Sequence, residues 1–171
     1  YRMTTGMGKS MQELLAASVE LNVVDGVILP NLKMQGAEEA CAYLDGEGRC
    51  SIHPYRPGIC RLFPLGRYYE NGGFSYLLQT GECAKENRSK IKVSKWIDTP
   101  DLTRNQQFTL QWHDLLHAME ERLTGEDEGK QREENLLLLR LFYLLPYEGT
   151  IDFYTQFTER MEHWNGQNGQ I

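Results

Sequence analysis

Apolar positions change their period twice along this chain. Met11, Leu14, Leu15 and Val19 recur at helical spacing, and Ser10 to Glu13 reads "SMQE", a capping box; together they predict a helix running to about Glu20. Before it, Tyr1 to Gly6 reads as the last turn of another helix closed by glycine. From Leu21 the period changes, and "LNVVDGVIL" sets Asp25-Gly26 between two β-branched runs, a strong hairpin signal. Turn signals follow at Asp45 to Gly48 (DGEG), Arg56 to Gly58 (RPG) and Asn71 to Gly73 (NGG). The last joins "GRYYE" to "FSYLLQ" in a second hairpin.

From Trp96 onward the helical period returns. Phe108, Trp112, Leu115, Leu116, Met119 and Leu123 form one stripe, and Leu136 to Leu145, apolar nearly all round, is expected to be a buried central helix. A last amphipathic helix carries Phe153, Phe157, Met161 and Trp164. These elements predict an α+β fold in which a small antiparallel β-hairpin layer carries the cysteines and a mainly helical C-terminal half flanks it. The chain is expected to form a single domain over 1–171, with a cysteine-bearing part at 1–95, a helical part at 96–165 and a polar tail at 166–171. Because it opens on Tyr1 and not on methionine, a preceding N-terminal segment is expected to be missing.

Composition narrows the function classes. At 171 residues the chain can bury a core without needing a metal for bulk stability, so any metal would be a local organiser or a functional group. A net charge of -6 argues against duplex nucleic acid as partner, whose phosphates demand cations. One basic run, Lys85 to Lys95, reads as a solvated face, with contact to an acidic partner as the sharper alternative. The apolar run at Leu136 to Leu145 is broken by Arg140 and stopped by Pro146, so no membrane span is expected. The acidic stretch "EERLTGEDEGK" reads as a solvated loop between helices.

The candidate chemistry lies in "CSIHPYRPGICRLFP", Cys50 to Pro64. The four cysteines, Cys41, Cys50, Cys60 and Cys83, are spaced C-x8-C-x9-C-x22-C, which is not the C-x2-C pairing of a zinc ribbon. Local context adds weight. A four-residue turn folds Cys50 back toward Cys41, and Pro54 and Pro57 can set a short helix or turn presenting Cys60. A dication on four thiolates, or an iron-sulfur cluster on four cysteines, carries net negative charge that His53, Arg56 and Arg61 would favour. Three other readings compete: buried structural thiols, disulfides, and a catalytic cysteine paired with His53.

The segment "CAYLDGEGRCSIHPYRPGICRLFPLGRYY", with "RPGICRLFP" its most specific part, resembles the second half of the YkgJ-like CxxCxxCC family, described as candidate zinc- or iron-chelating proteins and often labelled iron-sulfur oxidoreductases. "LNVVDGVILPNLKM" also looks like family sequence. The resemblance implies metal ligation by Cys41, Cys50, Cys60 and Cys83, with Arg56, Pro57, Arg61 and Pro64 belonging to the surrounding motif. The N-terminal C-x2-C-x2-C-C cluster that gives the family its name does not occur before Cys41. A branch that resembles a flagellin lysine N-methylase lends no activity here, because no glycine-rich methyl-donor loop is visible.

The expected function is a cytoplasmic metal-binding protein with a cysteine-ligated iron-sulfur cluster or zinc and an unknown protein or redox partner, a redox protein under the iron reading and a loop-holding site under the zinc reading. The alternative is a zinc-stapled or metal-free interaction module without catalytic activity. Whether the chain is an enzyme stays open. His113 and His117, at i and i+4, have chelating spacing but read more simply as a half-buried helix edge. Tyr43, Tyr55, Tyr68, Tyr69 and Tyr76 around the cysteines read as sheet-face packing. No P-loop, dinucleotide fingerprint or nucleophile elbow is present.

Overall fold

The computed structural model describes residues 1–82 and 89–168, and they form an α+β fold with three separate antiparallel two-stranded sheets. The chain divides into two compact units, Tyr1–Tyr55 with Leu116–Ile171, and Arg56–Leu115.

The first unit opens with helix α1 (Arg2–Met7), which ends two residues later than the sequence implies. Gly8, not Gly6, takes the left-handed conformation that closes it, with φ 63°. The capping box then starts α2 (Met11–Ala17): Ser10 Oγ accepts from Glu13 N at 3.2 Å, and Ser10 N donates to Glu13 Oε2 at 2.8 Å. The Ser10 N–H and the Ser10 hydroxyl, each donating to Glu13 Oε2 at 2.8 Å, hold the Glu13 carboxyl below its ordinary pKa, the backbone N–H being the larger cause. The helix stops at Ala17, short of the expected Glu20. Ser18 leaves helical geometry and its buried hydroxyl bonds the Tyr43 hydroxyl, while Val19 is taken up as the buried first residue of a strand. The helical spacing of Val19 loses to its pairing with Leu32.

That strand, β1 (Val19–Val24), and β2 (Val27–Leu32) form the hairpin foreseen at Asp25-Gly26, whose φ values of 51° and 79° suit a type I′ turn. Buried Asn135 ties it down: its Oδ1 accepts from Ile28 N at 2.6 Å and its Nδ2 donates to Gly26 O at 3.0 Å. Asn135 belongs to α6 (Glu128–Leu139), started by Asp127, whose carboxylate accepts from Gly129 N and Lys130 N. "EERLTGEDEGK" is therefore partly helix end and partly helix start, with the loop confined to 124–127.

The run Leu136 to Leu145 is not a helix buried all round. Leu138, Leu139 and Phe142 are buried, but Leu136 is 53 % and Leu145 49 % exposed, and the α-helix gives way to a π-helical turn over Arg140–Leu144 before Pro146. The final helix α7 (Phe153–Asn168) packs Phe157 and Trp164 near Phe142, with ring centroids 5.9 and 6.1 Å away. Met11, Leu14 and Val19 form a small core cluster with Leu32, Tyr143 and Leu144 against it.

The second unit holds α3 (Gly58–Leu62), the hairpin β5 (Leu65–Glu70) and β6 (Gly73–Leu78), α4 (Val93–Ile97) and the first part of α5 (Leu102–Leu123). Between the units' hairpins in sequence come the two-residue strands β3 (Met34–Gln35) and β4 (Ala40–Cys41), which pair with each other in the first unit. Asn71 and Gly72, at φ 50° and 71°, make the β5–β6 turn as read from "NGG". Period-two alternation is visible: Tyr69 and Phe74 sit opposite each other on one face with Tyr76 beside Phe74, while Tyr68 is exposed on the other. Of the basic run, 85–88 lies outside the described residues, and Lys90, Lys92 and Lys95 are exposed. Among the described residues no helix is long and apolar enough to cross a membrane.

Candidate metal centre

Cys41 ends β4, opposite Met34. A turn follows, closed by Leu44 N donating to Cys41 O at 3.0 Å, and Leu44 then forms an isolated antiparallel bridge with Cys50. Asp45 holds the connecting loop, its Oδ1 accepting from Glu47 N and Arg49 N, both at 2.9 Å, while Gly48 supplies the positive φ of 72°. The DGEG turn therefore brings Cys50 back beside the turn that Cys41 begins, as its residues foretell. Both cysteines are half-buried thiols.

Cys50 also starts the next turn, because His53 N donates to its carbonyl at 3.2 Å. The 3-10 turn His53–Tyr55 follows buried Ile52, and His53 itself is exposed. Tyr55 lies over α1 at Gly6: a Cβ on Gly6 would come within 2.1 Å of the Tyr55 ring. The glycine read as a helix terminator thus permits a close approach. Gly6→Ala is expected to lower stability by about 1–3 kcal/mol through overpacking, although alanine is the better helix former by roughly 1 kcal/mol. In a Tyr55→Ala background the same substitution should be neutral or stabilising, and equal effects in both backgrounds, measured by urea denaturation, would refute the contact.

Cys60 sits in α3, which begins after Pro57 as the "RPG" turn implies, and is also half-buried. Five residues do not hold a helix by themselves. Two side chains near α4 do so. Buried Arg61 donates from Nε to Ile97 O at 3.1 Å, and from Nη2 to Asp98 O and to the Asp98 carboxylate, the latter at 3.2 Å. The Trp96 indole N–H donates to Phe63 O at 3.0 Å and Leu62 O at 3.3 Å. The charge that the sequence offers to the thiolates is placed by the structure on the last carbonyls of α4, where a cation is favoured. Arg56, half-buried, begins this unit. Sequence reasoning missed Trp96 and Asp98; the usable signal was a tryptophan with a polar handle beside a basic run.

Cys83 lies outside the described residues. Among the described residues no three cysteine, histidine or acidic side chains come together as a metal ion would require. The donor type nevertheless suits the expected metals, since thiolates are the common ligands of structural zinc and of iron-sulfur clusters. His113 and His117 take different neighbours. His113 stacks on Tyr69 with centroids 3.7 Å apart and lies 3.4 Å from Asp114, whereas exposed His117 faces Glu121 at 3.8 Å.

Residues 8–91 match the family model CxxCxxCC, described as "Putative zinc- or iron-chelating domain". The match contains all four cysteines and ends before α4. No curated protein and no solved structure matches the chain.

Proposed function

We propose, from the match of residues 8–91 to the CxxCxxCC family model, that Cys41, Cys50, Cys60 and Cys83 bind metal as an iron-sulfur cluster or zinc. The observation that carries the reading is the bridged loop that returns Cys50 to the turn begun by Cys41 while leaving both thiols half-buried. Cys41 and Cys50 form the local half of the ligand set; Cys60 is offered from α3, and Cys83 completes the four. An iron-sulfur cluster would supply one-electron transfer, and zinc would hold loops in place. His53 and Arg56 are proposed to balance thiolate charge. A cytoplasmic setting, which keeps thiols reduced, and a protein redox partner in place of nucleic acid or membrane complete the reading.

The second reading is a zinc-stapled or metal-free interaction module. The readings separate on full-length protein purified without oxygen: metal content by mass spectrometry beside an absorption spectrum before and after dithionite. Iron with sulfide and a bleaching visible band supports the redox site; zinc in a colourless sample supports the staple. Cys50→Ser and Cys60→Ser are each expected to reduce bound metal. Full stoichiometry in both variants would end the ligand assignment.

A further inference from the structure

The helix that carries Cys60 presents apolar side chains to solvent. Ile59 is 70 % and Phe63 46 % exposed, and they lie at i and i+4, with Phe63 N donating to Ile59 O at 3.2 Å. Trp96, 39 % exposed, adjoins them because its indole N–H is bonded to Phe63 O. One exposed apolar residue needs no explanation, but an isoleucine and a phenylalanine four residues apart, with a tryptophan bonded to the phenylalanine's carbonyl, make a patch.

The rim of this patch is positive. Lys92, whose carbonyl accepts from Trp96 N at 3.0 Å, lies one helical turn before the tryptophan, and Lys95 directly precedes it. Both are exposed, as is Lys90, and among the described residues no ion pair engages any of the three. The neighbouring acid, Asp98, is turned onto Arg61. On a chain of net charge -6 this local surplus of cations is set apart from the whole.

We propose that the α3–α4 face of the second unit docks an acidic peptide segment of a partner protein, one that carries apolar side chains among its carboxylates. Ile59, Phe63 and Trp96 receive the apolar groups, and Lys92 and Lys95 face the carboxylates. The apolar centre favours a peptide over a phosphate backbone, which has no apolar side chains to set against Ile59, Phe63 and Trp96. None of these side chains is a thiol, so the face does not depend on the metal reading, although it would seat the partner on the helix of Cys60.

The test uses the full chain and a short fluorescein-labelled peptide of glutamate, leucine and phenylalanine, followed by anisotropy at low and high salt. Saturable binding that weakens with salt is expected, reduced about tenfold by Ile59→Ser and again by Lys92→Glu with Lys95→Glu. Ile59 is so exposed that Ile59→Ser should melt as the parent does; the charge reversal gives an independent readout. Absence of saturable binding, equal binding by parent and variants, or tighter binding of a basic peptide or of a single-stranded oligonucleotide would each overturn the proposal.

Discussion

Replacing Arg160 by methionine is expected to remove about 3–5 kcal/mol of unfolding free energy, which is about 10 °C in Tm for a chain of this size. Arg160 is buried in α7, and its guanidinium donates to Leu141 O, to Leu145 O at 3.0 Å and to Pro146 O at 2.8 Å. Those carbonyls belong to the π-helical turn and the two residues after it, and a helix leaves its last four acceptors without internal partners. The guanidinium also lies over the Tyr147 ring, 3.5 Å from its centroid. Burial lowers the Arg160 pKa, with Tyr147 and Glu159 opposing, and burial raises that of Tyr147, with Arg160 opposing. Methionine keeps the stem but strands three acceptors, each costing about 1–3 kcal/mol if water does not reach it. Lysine should fall between, because one ammonium cannot reproduce the planar fork. Urea denaturation of both variants checks this; a methionine variant within about 1 kcal/mol of the parent would mean that water replaces the clamp.

The second large effect falls on the helix bearing Cys60. Arg61→Met removes the donors to Ile97 O, Asp98 O and the Asp98 carboxylate, leaving the Trp96 indole N–H as the side-chain donor between α3 and α4 among the described residues. A loss of about 2 kcal/mol in local stability corresponds to a roughly 30-fold rise in the opening constant of this segment. Hydrogen exchange of the amides over 58–63 should accelerate by that factor, while α7 amides in the first unit keep their protection. If Cys60 ligates metal, the same variant should release it faster to a chelator, although Arg61 touches no thiol in the contacts described above. Unchanged exchange over 58–63 would remove Arg61 from its holding role.

What could be read from the residues was mostly short-range. The Ser10–Glu13 box, the Asp25-Gly26 and Asn71-Gly72 turns and the loop that returns Cys50 rest on hydrogen bonds or φ preferences contained within a few neighbours. The same holds for the start of α3 after Pro57. The resemblance in "RPGICRLFP" also led to the family whose match covers 8–91. Reading failed where two plausible roles had similar local cost. Gly6 and Gly8 could both end α1, and the structure gives the left-handed cap to Gly8 while Gly6 makes room for the Tyr55 ring; Val19 could extend α2, and pairing with Leu32 made it a strand.

The sequence by itself determined the α+β class, both principal hairpin turns, the loop that returns Cys50 to the turn begun by Cys41, and the start of α3 after Pro57. Tertiary structure decided which side of Leu136 to Leu145 is buried and that Asn135 serves the β1–β2 hairpin more than a hundred residues away in the chain. It also decided that the Arg61 charge goes to the end of α4 and that Ile59, Phe63 and Trp96 remain in solvent. The physical reason is range. Caps and turns are satisfied by atoms within about four residues, whereas burial and long-range pairing depend on which surfaces meet, and periodicity says only that a face is apolar, not what covers it.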